Sequence, residues 1–106
     1  MMKKPGEAVK GSDSGRPIMV LFDLLGRRWT LRILWELRHG RLTFRALQSR
    51  CDEISPTMLN RRIKELRELN MVDHEEAGYG HTPWGAELSE HLMDLSRWSD
   101  RWAKSL

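Results

Sequence analysis

With one cysteine, Cys51, the chain cannot close a disulfide within itself and cannot build a zinc site from cysteine pairs. A lone thiol fits a reducing compartment. Long apolar runs are missing too: the longest, residues 18 to 25, is interrupted by Asp23 and falls far below the roughly 20 residues that span a bilayer. The opening MMKKPGEAVKGSDSG carries lysines, but Pro5, Gly6 and Glu7 stand where a signal peptide needs an apolar core. Residues 1–15 therefore read as a flexible polar tail, and the protein as soluble and cytoplasmic. There is no internal repeat and no low-complexity segment beyond that tail. The histidines, His39, His74, His81 and His91, are scattered, so no nucleophile, base and pocket assemble in the sequence. His74 and His81 could meet across a hairpin and, with Glu75 or Glu76, bind zinc, but a polar turn is the favoured reading. No enzyme, metal or cofactor is expected.

What is present is positive charge in one place. The formal net charge is only +3, yet residues 26 to 69 hold eleven basic and five acidic side chains, whereas residues 70 to 106 hold three basic and seven acidic. A polyanion is the natural partner for such a central block, because each phosphate neutralised releases counterions. At 106 residues the chain fits one domain with a modest core, burying somewhat under about 70% of its unfolded surface. That domain is expected over residues 16–106.

Helix signals dominate. Pro17 offers an N1 position, and residues 18 to 25 are apolar on nearly every side before Gly26 supplies a C-cap. Residues 28 to 39 read as a second helix ended by Gly40. "RLT" at 41 to 43 reads as a short strand, with Thr43 as N-cap of a third helix placing Phe44, Leu47 and Cys51 at i, i+3 and i+7. Ser55-Pro56 opens a fourth helix to about residue 69, and Asn70 can adopt the left-handed conformation that stops it. "MVDHEEAGYGHT" suggests two short strands, and residues 84 to 104 a long last helix of about 31 Å. The fold class is mainly α with a small β hairpin.

The fourth helix has two faces. Leu59, Ile63 and Leu66 recur at the spacing of a buried stripe, while Thr57, Asn60, Arg61 and Lys64 average about 180° away. Two helices joined by the short link DEIS, the second capped by serine and polar on its outer face, constitute a helix-turn-helix; two strands after it make the winged variant. Entering a major groove N-terminus first, Thr57, Asn60, Arg61 and Lys64 are the base-contact candidates. Asn matches the N6/N7 edge of adenine and Arg the O6/N7 edge of guanine. Ser55 and the free N–H groups of the first turn suit a phosphate. Arg27, Arg28, Arg41, Arg45 and Arg67 are further phosphate candidates. Arg62 lies beside the buried stripe, where its stem packs and its head pairs with an acid or a phosphate.

The segment DLLGRRWTLRILWELRHGRLTFRALQSRCDEISPTMLNRRIKELRELNMVDH, continued by YGHTPWGAEL, resembles the HxlR family of winged helix-turn-helix transcription regulators over roughly residues 16 to 104. The resemblance is most specific in LLGRRWT, LTFRAL, ISPTML and TPWGAEL. It implies a homodimer on a pseudo-palindromic operator in double-stranded DNA, paired through the first and last helices; a repressor is the favoured reading, although the sequence does not itself decide repression against activation. Independently, Trp84, Leu88, Leu92, Leu95, Trp98, Trp102 and Leu106 step along the last helix as a continuous seam longer than a small core can cover. The expected interface is Ile18, Leu21, Phe22, Leu25, Leu95, Trp98 and Trp102, the two tryptophans acting as anchors.

Two departures qualify the resemblance. Family members that sense electrophiles or oxidants carry a cysteine just before the first helix, as in a Cys-Pro pair; here Arg16 precedes Pro17. Cys51 instead reads as a buried packing thiol. The wing DHEEAGYGH is short and acidic, so its insertion into a minor groove is not expected, and the recognition helix and flanking arginines must supply the affinity. Any small-molecule effector is unspecified by the sequence. The rival reading is a dimeric winged-helix protein-interaction module without DNA binding.

Overall fold

In the computed structural model, which describes residues 4–6 and 15–106, Pro17 opens helix α1 (Pro17–Leu25) at its N1 position and Gly26 follows as C-cap. Most of the expected polar tail, residues 1–3 and 7–14, lies outside the described residues. Helix α2 (Thr30–Glu36) is shorter at both ends than the 28 to 39 expected. Its N-cap Trp29 takes a left-handed φ of 78°, which breaks the helix on that side, and residues 37 to 39 form turns rather than a last helical turn. Apolar periodicity could not register either event, because the apolar positions Trp29 and Leu37 continue the helical pattern through the residues where the backbone leaves it.

Helix α3 (Phe44–Arg50) is capped by Thr43, whose hydroxyl accepts from the Ala46 N–H at 3.1 Å. Helix α4 (Pro56–Glu68) begins with Ser55 accepting from the Met58 N–H at 3.2 Å and ends before Asn70, which has φ of 58°. Strands β1 (Val72–Glu75) and β2 (Gly78–His81) pair antiparallel, Val72 with His81 and Glu75 with Gly78, leaving Glu76 and Ala77 as the reversal. The expected strand at 41 to 43 reduces to one residue: Leu42 bridges Tyr79 through two backbone hydrogen bonds of 3.0 and 2.8 Å. Gly78 permits that approach, since a Cβ there would lie 2.4 Å from the Leu42 carbonyl oxygen.

Thr82 caps helix α5 (Pro83–Lys104). Its hydroxyl accepts from the Gly85 N–H at 3.1 Å and donates to the Asn70 carbonyl at 2.6 Å, stitching the end of α4 to the start of α5. Gly85 packs so closely on this junction that a Cβ would sit 2.0 Å from the Met71 carbonyl oxygen.

The core gathers Leu24 from α1, Ile33 and Leu34 from α2, Leu37, Leu47 from α3, Cys51, Ile54, the Leu59, Ile63 and Leu66 stripe of α4, and Val72. Each fully buried leucine or isoleucine contributes about 1.5–3 kcal/mol relative to exposure. The result is a mainly helical winged helix-turn-helix: α3 supports, α4 presents, and the β1–β2 hairpin is the wing.

Two helices leave this core incompletely. In α1, Val20 and Leu24 are buried but Ile18 and Phe22 are exposed, Leu21 is half-buried, and Leu25 packs partly on its own core. In α5, the expected continuous seam divides: Leu88 and Leu92 pack against the core, whereas Trp84, Leu95, Trp98 and Trp102 are 63%, 59%, 51% and 51% exposed. Among the described residues, no helix is long and apolar enough to cross a membrane.

Candidate nucleic-acid interface

The outer face of α4 forms because its inner face is fixed. Leu59, Ile63 and Leu66 are buried, and at about 100° per residue that turns Thr57, Asn60, Arg61 and Lys64 outward; all four are exposed. Arg67 continues the exposed row. Ser55 and Pro56 leave the first turn of α4 at the surface, with the serine hydroxyl engaged in capping. A shallow open hollow runs from this face to the wing, lined by Asn60, Ile63, Lys64, Arg67, Glu68 and Tyr79.

The turn between α3 and α4 is held from several sides. Asp52 and Glu53 take consecutive left-handed conformations, with φ of 56° and 57°. The Gln48 side-chain amide donates to the Ile54 carbonyl at 2.9 Å. Arg32 of α2 pairs with Glu36 at 2.8 Å and Asp52 at 3.1 Å and donates to the Arg50 carbonyl at 2.7 Å. Sequence reasoning missed Arg32. Its partners lie up to 20 residues away, and only the i,i+4 spacing to Glu36 was visible beforehand.

The arginines expected at phosphates separate into two groups. Arg28, Arg45 and Arg67 are exposed, with the Arg28 guanidinium 5.8 Å from the centre of the Trp29 ring. Arg27, Arg41 and Arg62 are instead committed to carboxylates within the chain. Arg27 pairs with Glu65 at 2.7 Å and Asp23 at 3.1 Å. Burial disfavours its charge, but the Asp23 hydrogen bond and the two carboxylate charges outweigh that and hold its pKa above the ordinary value. Arg62 pairs with the other oxygen of Glu65 at 2.7 Å and donates through Nε to the Arg28 carbonyl at 2.8 Å. Arg41 lies 2.6 Å from Asp73 and 3.2 Å from Glu75 and donates to the Gly78 carbonyl at 3.0 Å. Hydrogen bonding to Asp73 is the main reason its pKa is raised.

The acidic wing thus faces an arginine of its own chain, which accounts for two of the carboxylates in DHEEAGYGH, Asp73 and Glu75. His74 stacks on Tyr79 with ring centroids 4.1 Å apart. His81 stands opposite Val72 in the register and its Nε2 lies 3.1 Å from the Leu34 carbonyl oxygen, so the two histidines are not paired across the hairpin, and among the described residues no group of three His, Cys, Asp or Glu could hold a metal ion.

Comparison with known proteins follows the same lines. The sequence pattern of the family described as HxlR-like helix-turn-helix matches residues 24–106. An uncharacterised HTH-type transcriptional regulator of Methanocaldococcus jannaschii, MJ0925, is 25% identical over 91 residues, covering 82% of this chain and 86% of that protein. The HTH-type transcriptional regulator YodB of Bacillus subtilis is 28% identical over 90 residues, covering 78% of this chain and 80% of YodB. The crystal structure of quinone-bound YodB superposes with a TM-score of 0.73 at 30% identity, covering 79% of this chain and 96% of that one.

Proposed function

The chain belongs to the HxlR-like helix-turn-helix family of transcriptional regulators, and from that premise we propose that it is a homodimeric repressor that binds a pseudo-palindromic operator in double-stranded DNA. The observation that carries this reading is the exposure of Thr57, Asn60, Arg61 and Lys64 on a helix whose opposite side is locked into the core. Asn60 pairs with the N6/N7 edge of adenine and Arg61 with the O6/N7 edge of guanine, each bidentate pair discriminating by about 1–3 kcal/mol. Thr57 and Lys64 complete the base-facing row. Arg28, Arg45, Arg67 and the first turn of α4 at Ser55 hold phosphates and fix the register.

Pairing of α1 and the distal half of α5 across a two-fold axis covers Ile18, Phe22, Leu95, Trp98 and Trp102, and sets two α4 helices about one helical turn of DNA apart, roughly 34–36 Å. Repression follows from occupancy, since a dimer seated across an operator excludes other proteins from the same duplex. The cell interior is the site of action.

A mobility-shift series in salt tests the reading. Log affinity should fall linearly with log salt, with a slope of about −0.9 for each phosphate neutralised. Absence of retardation at low salt, or retardation insensitive to salt, would favour the protein-interaction module. Selection of duplexes from a random pool should return paired half-sites.

A further inference from the structure

A chain of alternating charges runs from α1 to the recognition helix. Asp23, one residue beyond the exposed Phe22, pairs with Arg27; Arg27 pairs with Oε2 of Glu65; Oε1 of Glu65 pairs with Arg62, the neighbour of Arg61. Arg62 then closes the loop by donating to the Arg28 carbonyl in the α1–α2 turn. The side chains of Glu65 and Arg62 are each only 11% exposed. The leucine and isoleucine stripe of α4 holds that helix to the core without directional preference. A carboxylate whose two oxygens each meet a different guanidinium does impose direction, because charge-assisted pairs have narrow geometry. Buried ion pairs add little to stability over apolar packing, and their best-attested use is to fix register.

From this we infer that Glu65 is a positioning residue for operator recognition: it fixes the rotation and tilt of α4 against α1, and so the separation of the two recognition helices in the dimer. The inference rests on the DNA-binding dimer proposed above. It adds that half-site spacing is read through Asp23, Arg27, Glu65 and Arg62, none of which needs to touch a base. One inserted base pair moves a half-site by about 3.4 Å and rotates it by about 35°. A recognition helix held by Glu65 cannot follow that displacement; one held by apolar contacts alone can.

The test uses the full chain and its variants Glu65→Gln, which keeps the shape of the side chain, and Asp23→Asn, which cuts the link at α1. Binding is measured by competition on the duplex selected from a random pool, on that duplex with one base pair added or removed between half-sites, and on random DNA. The wild-type protein should discriminate against altered spacing by about tenfold or more, and both variants by about threefold or less, with binding to random DNA changed less than about twofold. Retention of the wild-type spacing ratio by either folded variant overturns the proposal, even if overall affinity falls, because a merely structural role weakens all spacings alike. If Glu65→Gln does not fold, Asp23→Asn decides. Failure of the DNA reading is recognisable separately, since the wild-type protein would then show no duplex preference, and the coupling would fall with it.

Discussion

Burial acts in opposite senses on Cys51 and His81. It pushes the Cys51 thiol up to about 11, so the thiolate fraction near neutral pH is below about one in a thousand. Alkylation of the native protein should therefore be slow at pH 7.5 and become fast only in denaturant, as followed by mass spectrometry; rapid native alkylation would contradict a packing role. For His81, loss of water is the main cause and lowers the pKa below its ordinary 6.5 despite the backbone hydrogen bond to Leu34. The unfolded chain then binds the proton more readily, so the contribution of neutral His81 is complete above about 6.5 and declines as the pH falls through the folded pKa. Denaturation midpoints should drop as the pH falls below about 6.5, and His81→Gln should flatten that decline. On DNA, Arg61→Ala should weaken the selected duplex by about 1–3 kcal/mol while leaving random DNA nearly unaffected; equal loss on both would make Arg61 a phosphate contact. The exposed row of α4 was legible because helix periodicity assigns faces. The commitment of Arg27 and Arg41 was not, because their partners Glu65 and Gly78 lie 38 and 37 residues away; for Arg62 the sequence offered an acid or a phosphate, and the acid is Glu65, one turn on.

Among the elements, those with chemical punctuation were readable. Pro17, Thr43, Ser55-Pro56 and Asn70 each fix a backbone conformation or satisfy an end group locally, and each marks a boundary in the structure. Helix α2 lacks such marks at its start, where Trp29 in a left-handed conformation replaces the polar cap. The α3–α4 link hides two more left-handed residues, Asp52 and Glu53. A further junction, from α4 through the wing to α5, depends on Thr82 serving two partners at once. Thr82→Ala should cost about 1–3 kcal/mol in urea denaturation, since it removes a helix cap and leaves the Asn70 carbonyl without its side-chain donor. A Ser replacement, retaining the hydroxyl, should recover most of that loss.

At the scale of the whole molecule, much of the apolar surface left over by folding lies on α1 and the distal half of α5, with Leu31 of α2 and Trp84 at the start of α5 exposed besides. Trp98→Glu combined with Trp102→Glu should place charge in the proposed dimer contact and give monomers in sedimentation analysis; an unchanged mass would remove α5 from the interface. Because the monomer core ends near Leu92, the double variant should leave the monomer's fold largely intact, as checked by far-ultraviolet circular dichroism. Trp98 and Trp102 also stack on one another, their centroids 5.9 Å apart and their planes within 10°. Two parallel indoles at that separation are electronically coupled, and both are half open to water. Their emission would therefore record the proposed association without any attached dye: if α5 pairs as proposed, dilution should shift the fluorescence to longer wavelength.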